Sequence, residues 1–389
     1  MSVLYISTML FPLLALLSLT NAIAITIAPP QPDYDAIVIG GGPAGLSALS
    51  GLARVRRHVL LIDSGEYRNG PTTHMHDVIG WDGVQPAYFR YESRRLLSHY
   101  KTVKMENGTV TNIKPLPGAN TRFSVSVDYP DQHRTTKITA RKIVLATGLK
   151  DILPSTPGFA ENWGRGIYSC PWCDGHEYAD QPLGLLCPLD KIASHVLNVL
   201  TLTTDIVAFV NGTDNDETRR VADEQFPQWE EYLKLHNVTV DNRTITSLER
   251  LKDGEDVNKE PWLPSVPKDD LFGVHFTEGE GEPVQRVAFL SSVPNKQRSD
   301  IGDRAGVELT NGKLRVTDNQ TMLTNVPGIY AVGDANSGSA ENVPHAMFTG
   351  KRAAMFLHAT LEREKWDTEL AGRLKRDVSP GEISWPENC

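Results

Sequence analysis

Two cysteines separated by two residues, Cys170 and Cys173, are the most reactive pair of side chains in this sequence. Thiols at this spacing can close a reversible disulfide, and the thiolate of such a pair can attack another disulfide or pass electrons to a cofactor. Half of a zinc site would need a second cysteine pair, but the remaining cysteines, Cys187 and Cys389, are far apart. We therefore predict a redox pair and no metal site, with a structural disulfide as the alternative.

A glycine-rich turn lies near the start of the chain, between an apolar strand at residues 34–39 and a segment with helical spacing at residues 44–57. Its glycines have the spacing of a dinucleotide-binding turn and are Gly40, Gly42 and Gly45. In that pattern the first glycine permits a tight turn, the second lets the backbone approach a pyrophosphate, and the third lets the helix pack closely. A second strand ends in Asp63, about twenty residues on, where a carboxylate can hold a ribose hydroxyl. The sequence thus predicts a dinucleotide site.

A second strand, turn and helix of the same kind are predicted farther along, with strands at residues 183–187 and 205–210 and a helix at 191–202. Its turn runs Leu185, Leu186, Cys187, Pro188, Leu189 and Asp190, without glycines where backbone would meet pyrophosphate. The proline has no amide to donate, and the acid would repel phosphate. Because no basic cluster for a 2′-phosphate follows the second strand, we predict a nucleotide-fold scaffold without a nicotinamide site.

The last part of the chain contains a short apolar strand at residues 328–332 that ends in Gly333 and Asp334, followed by a predicted helix at 342–358. A carboxylate at a strand end beside glycine can accept a hydrogen bond from a cofactor hydroxyl, although an ordinary turn has the same pattern.

Two polar regions carry no function in this interpretation. Residues 63–83 form a Gly-rich loop in which His74 and His76 are interpreted as ordinary solvated residues. Residues 251–282 carry many charges and an acidic patch, and we interpret them as a solvated loop.

The N-terminal residues form an apolar run, 3–19, that precedes the first charged side chain, Asp33. This pattern is typical of a secretory signal peptide, residues 1–24, with an uncleaved signal anchor as the alternative because no Lys or Arg stands at the start. Five N-x-Ser/Thr sequons follow, at Asn107, Asn211, Asn237, Asn242 and Asn319. We therefore expect an N-glycosylated protein of the secretory pathway, either secreted or in the lumen of the endoplasmic reticulum or a vesicle, in an oxidising setting.

The composition is that of a soluble globular protein of two or three domains: 389 residues, 40% hydrophobic and 22% charged. The formal net charge of -9 argues against a nucleic acid or an anionic membrane surface as the main partner.

Four motifs, in this order, resemble those of the low-molecular-weight thioredoxin reductases: residues 40–45, 146–148, 170–175 and 327–334. Those are flavoproteins in which a pyridine-nucleotide domain with the redox disulfide interrupts an FAD domain. The resemblance implies an α/β fold with two Rossmann-like, three-layer nucleotide-binding domains. It also implies an FAD domain formed by residues 25–150 and 291–389, an inserted domain at 151–290, and a homodimer.

The resemblance also implies roles for individual residues. FAD would be held by Gly40, Gly42, Gly45, Asp63, Asn69, Gly333 and Asp334, with Asp334 on its ribityl part. Cys173 would lie against the flavin and Cys170 would meet the substrate, while Asp174 would move the proton as a mixed disulfide forms. His345 would lie at the start of the last helix, under the pyrimidine side of the flavin, as a second base or a structural histidine.

Because the turn at residues 187–190 departs from the reductases, the chain resembles better their relatives, the fungal dithiol oxidases of the gliotoxin and holomycin type. Those enzymes keep FAD and the cysteine pair, use no nicotinamide cofactor, and oxidise two thiols of a small metabolite to a disulfide with O2 as acceptor. We therefore expect a dithiol oxidase of secondary metabolism that produces hydrogen peroxide and has no use for NADPH. The alternatives are an NADPH-dependent disulfide reductase, a flavin oxidase acting on a substrate without thiols, and an FAD-binding protein without turnover.

Overall fold

The structure is a computed structural model and describes residues 31–118, 121–254, 268–277, 281–338 and 340–377. The predicted signal peptide or anchor and Cys389 lie outside these residues. Within them, no helix combines the length and apolar character needed to cross a membrane.

The described chain contains both strands and helices. In chain order the strands are β1 (Tyr34–Ile39), β2 (Val59–Asp63), β3 (Val103–Asn107), β4 (Thr109–Pro115), β5 (Phe123–Tyr129), β6 (Arg134–Leu145), β7 (Leu149–Asp151), β8 (Ile167–Tyr168), β9 (Leu183–Leu186), β10 (Ile206–Phe209), β11 (Thr239–Asp241), β12 (Ile245–Lys252), β13 (Leu271–Phe276), β14 (Val284–Arg286), β15 (Ala288–Ser291), β16 (Asn295–Gln297), β17 (Leu309–Thr310), β18 (Lys313–Leu314), β19 (Val316–Asp318), β20 (Leu323–Thr324) and β21 (Ile329–Ala331). The α-helices are α1 (Pro43–Arg54), α2 (Pro86–Leu97), α3 (Pro171–Asp174), α4 (Ile192–Val199), α5 (Asp216–Gln225), α6 (Trp229–Leu235), α7 (Ile301–Arg304) and α8 (Val343–Asp377).

The first sheet is centred on β1, which pairs in parallel with β2 and β6. Its strand order is β19-β20-β21-β6-β1-β2-β3, and the β4–β5 hairpin joins it through β6. Alternate residues of β1 point to opposite faces: Ala36 and Val38 pack with residues of α1 and α8, whereas Ile37 and Ile39 pack with residues of β4 and β5. Both faces of β1 are apolar because both are covered, as is usual for a central parallel strand.

The second sheet is parallel, with the strand order β11-β10-β9-β15-β8. Helices α4 and α6 contribute to the core on one face, and the antiparallel sheet β12-β13-β14 covers the other. Two sheets of this kind confirm the predicted α/β fold with Rossmann-like halves. The interpretation of residues 251–282 as a solvated loop is wrong, because β13 lies within them and its Phe272 and Val274 are fully buried.

Two short strands carry the chain between the sheets. β7 leaves the first sheet, β16 returns to it, and the two pair antiparallel with Lys150 opposite Lys296. The limits of 151 and 290 given for the inserted domain fall at the end of β7 and within β15.

Helix α8 is longer than predicted: it extends to Asp377, where the described residues end, rather than to residue 358. Its first half packs on α1 through Ala353, Ala354 and Leu357. Its second half is mostly exposed and carries ion pairs one turn apart, such as Arg363 with Asp367. The hydrophobic spacing in the sequence predicted only the half of α8 that packs on α1.

Candidate active site

The glycine turn between β1 and α1 is built for a close approach of backbone and ligand. Gly40 has a φ of 110°, and a Cβ there would lie 2.3 Å from the carbonyl oxygen of Ala146. A Cβ on Gly45 would lie 1.9 Å from the carbonyl oxygen of Gly40, so neither position accepts a side chain. A Cβ on Gly42, by contrast, would meet nothing within 4 Å. The backbone at Gly42 is therefore open to a pyrophosphate beside the amides that begin α1.

Asp63 stands directly beside this turn and is only 3% exposed. A Cβ on Gly41 would lie 2.1 Å from Asp63 Oδ2. The carboxylate accepts hydrogen bonds from the Gly65 amide at 3.1 Å, Tyr67 Oη at 2.5 Å and Arg94 Nη1 at 3.1 Å. Burial and the bond to Asp63 raise the pKa of Tyr67 to about 12, so its hydroxyl remains a donor at neutral pH. Tyr67 and Arg94 thus fix the carboxylate where a ribose is expected.

Arg68, to which the sequence analysis gave no role, lies at the centre of a charged cluster. Its guanidinium contacts Asp151 at 2.7 Å, Asp334 at 2.9 Å and Glu341 at 2.5 Å, and Lys313 pairs with the same glutamate. Burial raises the pKa of Asp334, while the charge of Arg68 lowers it. Asp151 comes from β7, and Asp334 and Glu341 come from the segment that precedes α8. Their convergence on Arg68 is therefore a tertiary feature that no local pattern predicts.

One cavity of about 760 Å³ brings most of the predicted site residues together. Those in its wall are Gly40, Gly42, Asp63, Asn69, Cys170, Cys173, Asp174, Gly333 and Asp334. Gly45 lies outside the cavity wall and permits the close approach of α1 to Gly40. The wall also holds Thr147, whose buried hydroxyl has no hydrogen-bond partner among the described residues. An open glycine backbone, a buried carboxylate and an unpartnered hydroxyl in one large cavity fit a dinucleotide cofactor of the size of FAD.

The cysteine pair forms a disulfide in the wall of the same cavity. The Cys173 and Asp174 amides both donate to the carbonyl oxygen of Cys170, at 3.0 and 3.2 Å, and so form the tight turn at α3. With their sulfurs bonded to each other, the cysteines are not arranged as half of a zinc site. The part of the chain that the structure describes has no cluster of three metal-ligating side chains.

Asp174 follows the disulfide and also faces the cavity. Burial raises the pKa of Asp174 to about 7, opposed by the charge of Lys268 and reinforced by that of Glu177. A carboxyl group that titrates near neutral pH can both accept and return a proton.

Tyr168 lies near Asp174 and stacks on Tyr178, with ring centroids 6.0 Å apart. The buried hydroxyl of Tyr168 has no hydrogen-bond partner within the described ranges.

Two histidines that the sequence analysis treated as solvated, His74 and His76, lie in the cavity wall. His76 is 9% exposed. The part of the loop around His76 is not solvated, because Met75 and Val78 are buried there in a small apolar cluster with Val84 and Phe89. The apolar residues at 75, 78 and 84 are the sequence signal that could have revealed this. A third histidine, His195 of α4, also lines the cavity, and burial lowers its pKa.

His345 is not among the residues that line the cavity. Its amide donates to Asn342 Oδ1 at 2.8 Å at the start of α8. Its Nε2 is buried without a hydrogen-bond partner among the described residues, and burial lowers the pKa of its ring. The structure therefore does not bring this side chain to the disulfide, and the geometry gives no support to its role as a second base.

The turn after β9 is filled by side chains. Leu189 is fully buried in the core of the inserted domain, with Ile192 and Val196 of α4. Its amide donates to Thr213 Oγ1 at 3.0 Å, so this backbone donor is satisfied inside the protein. Arg219, the first base after β10, is engaged by two carboxylates, those of Asp214 and Glu230, each at 2.5 Å.

Comparisons with known proteins agree with this geometry. The family model described as pyridine nucleotide-disulphide oxidoreductase matches residues 34–197. A relative named probable thioredoxin reductase, from Arthroderma benhamiae, is 43% identical over 383 residues, which cover 94% of this chain and 91% of the relative. Thioredoxin reductase sirT of Leptosphaeria maculans is 30% identical over 77% of this chain and 86% of its own length. The crystal structure of HlmI superposes with a TM-score of 0.72 and 29% identity, over 89% of this chain and 98% of HlmI.

The matches span both sheets, the glycine turn and the disulfide turn, and they include several fungal proteins. They confirm the predicted family and its cofactor, FAD. The chain belongs to the thioredoxin reductase-like FAD oxidoreductases.

Proposed function

We propose that this protein is an FAD-dependent dithiol oxidase, which oxidises two thiols of a small molecule to a disulfide and passes the electrons to O2. The observation that carries the proposal is the contrast within one molecule: the disulfide faces the cavity of an open glycine turn, whereas Leu189 fills the second nucleotide turn. The first arrangement serves electron transfer between the disulfide and FAD. The second offers no cradle for the pyrophosphate of NADPH.

The cysteines perform the exchange in two steps. A substrate thiolate attacks Cys170 Sγ, the bond between the two cysteine sulfurs breaks, and Cys173 leaves as a thiolate. The second substrate thiolate attacks the substrate sulfur of the mixed disulfide, so that the substrate disulfide forms and Cys170 leaves as a thiolate. Two electrons have then moved to the cysteine pair and two protons have been released. The chemistry that FAD supplies when bound is acceptance of these electrons and their transfer to O2, which gives hydrogen peroxide.

Asp174 is the group that receives a proton from the substrate. It follows Cys173 in the chain and lines the cavity. Since burial raises its pKa to about 7, a substantial fraction is ionised at neutral pH and ready to accept a proton, and the acid formed can return it.

The remaining residues hold the cofactor. Gly40 and Gly42 would receive its pyrophosphate and Asp63 its adenosine ribose, while Asp334, fixed by Arg68, would accept a hydrogen bond from its ribityl chain. Asn69 and Gly333 line the same cavity.

We extend the proposal to location and assembly. All five sequon asparagines are exposed, as attachment of a glycan requires, and this supports a glycoprotein of the secretory pathway. An oxidising lumen or exterior suits an enzyme that makes disulfides. A homodimer and a substrate from secondary metabolism are expected from the resemblance to the fungal oxidases.

The test is an anaerobic titration of the purified yellow protein, with flavin absorbance as the readout. We expect dithiothreitol, the probe dithiol, to bleach the flavin, and air to restore it with formation of about one peroxide per dithiol. Cys170→Ala should abolish bleaching by dithiol. Cys187→Ala is the matched control, because Cys187 is a buried cysteine outside the cavity wall and its loss should leave the bleaching intact.

The second candidate is an NADPH-dependent disulfide reductase, favoured by the parallel inserted sheet and by the names of the relatives, which are thioredoxin reductases. Rapid bleaching by NADPH would establish it and refute the oxidase. Turnover of a substrate without thiols by the Cys170→Ala protein would instead favour oxidation at carbon.

A further inference from the structure

His76 forms a contact between the two halves of the molecule. Its loop follows β2 in the first sheet, and its Nε2 lies 3.6 Å from Oε1 of Glu177, in the segment that follows α3. Its Nδ1 lies 3.6 Å from Oδ1 of Asp82, in its own loop. The ring is 9% exposed and Glu177 is 4% exposed, so this pair meets away from bulk water. A protonated imidazole in this position is attracted by a carboxylate on either side.

Glu177 is joined closely to the reactive turn. It lies in the 3-10 helix His176–Tyr178, which begins just after α3. Its carbonyl oxygen accepts from the Lys268 amide at 2.8 Å, and Lys268 Nζ donates to Thr73 Oγ1, back in the His76 loop, at 3.2 Å. Two contacts therefore tie the residues after the disulfide to the loop at 72–76.

These contacts matter because the connection between the two sheets is slender. The chain passes between them through β7 and β16, a pair of three-residue strands. Domains joined in this manner move relative to each other unless their interface holds them. The orientation of the disulfide toward the cofactor cavity consequently depends on side-chain contacts across the boundary.

We infer that His76 is a positioning residue: through Glu177 it fixes the turn that carries Cys170, Cys173 and Asp174 against the FAD-binding half. Only the expected change in the rate of flavin bleaching by dithiol rests on the proposed function; the structural role of His76 does not. The groups that face the ring are Asp82 from its own loop and Glu177 from the inserted half, with Asp174 and Lys268 adjacent to Glu177.

The test compares His76→Gln and Glu177→Gln with His275→Gln, all as FAD-loaded full-length proteins. His275 is the matched control because its Nε2 also meets a glutamate, Glu249, at 2.9 Å, but within one sheet and near the surface. The first readout is hydrogen–deuterium exchange of residues 168–178, and the second is flavin fluorescence. The third is the rate of anaerobic flavin bleaching by dithiothreitol.

We expect His76→Gln and Glu177→Gln each to speed exchange in residues 168–178 and to change flavin fluorescence, whereas His275→Gln should match the wild type in both. Bleaching should slow by about tenfold or more in both, since misplacement of reacting groups by about 1 Å costs up to about a hundredfold. His76→Lys, whose side chain can donate to the same carboxylate, should recover part of the rate.

Exchange and fluorescence equal to those of the wild type in both variants would overturn the inference. If His76→Gln fails to fold, Glu177→Gln decides the question from the other side of the contact. A wild type whose flavin is not bleached by dithiol would refute the proposed oxidase, whereas the exchange and fluorescence results would still decide whether His76 positions the turn.

Discussion

The glycine turn after β1 and the turn after β9 occupy equivalent places in two similar folds, yet they differ in what fills them. At Gly42 an added Cβ would meet nothing within 4 Å, so the backbone faces open space. At Leu189 the corresponding space contains a fully buried side chain, and the amide is bonded to Thr213. The comparison teaches that a parallel sheet with crossover helices provides a place for a nucleotide, while the few residues of the turn decide whether one can bind.

The second turn also gains something from its side chains. Leu189 adds its volume to the core formed by β9, β10 and α4. The side chain that occupies the place of a pyrophosphate therefore stabilises the inserted domain. The inserted domain contributes to the chemistry through the disulfide turn instead, which faces the cavity of the first half.

The largest effect is expected from a side chain in the first turn. In Gly45→Val the new Cβ would lie 1.9 Å from the carbonyl oxygen of Gly40, so the turn cannot keep its conformation. We expect loss of bound FAD, measured as flavin absorbance per polypeptide after gel filtration. Gly372→Ala, where an added Cβ meets nothing within 4 Å, is the control and should retain full flavin. A stoichiometric yellow Gly45→Val protein would contradict the assigned role of the turn.

Truncation of Leu189 in the second turn should lower the stability of the protein without loss of bound FAD. Leu189→Ala leaves a cavity in the core of the inserted domain and should lower the free energy of unfolding by about 2–5 kcal/mol, measured by urea denaturation. FAD content should remain that of the wild type. Leu197→Ala, in the same helix region but with a side chain that is 50% exposed, should change the free energy by far less. The contrary outcome has two parts: NADPH bleaches the flavin of the wild type, and Leu189→Ala loses this bleaching. It would mean that the turn binds a nucleotide.

A smaller effect is expected at Asp174, whose pKa is raised to about 7 by burial. The folded protein keeps a proton that the unfolded chain releases near pH 4, so this contribution to stability is complete below about pH 4 and is lost as the pH rises through about 7. Asp174→Asn should therefore be more stable than the wild type above pH 7 and equal to it at acidic pH. The rate of flavin bleaching by dithiol should rise through about pH 7 in the wild type and lose this dependence in the variant.

Asp180→Asn provides the comparison for that experiment, because Asp180 is an exposed acid six residues away in sequence. Its thermal unfolding and its pH profile should match those of the wild type. An Asp174→Asn protein with the wild-type pH profile would exclude Asp174 as the proton acceptor.

The smallest effect is expected from Arg219, the first base after β10. Its two carboxylate partners already satisfy it at the surface, so Arg219→Ala should change stability by less than about 0.5 kcal/mol and leave dithiol-driven bleaching unchanged. A large loss of activity with NADPH in this variant would show that it binds a 2′-phosphate and would remove the contrast between the two turns.

Local patterns predicted the parts of the site whose chemistry lies in consecutive residues. The spacing of Gly40, Gly42 and Gly45, the acid at the end of β2 and the pair Cys170 and Cys173 could be read from the sequence because a turn or a short loop imposes its own residue types. The same holds for the irregular turn at Leu189. Patterns failed where burial came from distant segments, as for His76, which a small apolar cluster and the inserted half enclose.

The sequence by itself determined the two nucleotide-fold units, the FAD turn and the redox pair, because each depends on backbone geometry within a few residues. The tertiary structure decided which groups meet in the cavity. It joined Arg68 to Asp151, Asp334 and Glu341, set His76 against Glu177, and left His345 outside the cavity wall. The physical reason is that burial and charge pairing between segments far apart in the chain arise from the packing of whole layers, which no single stretch of sequence contains.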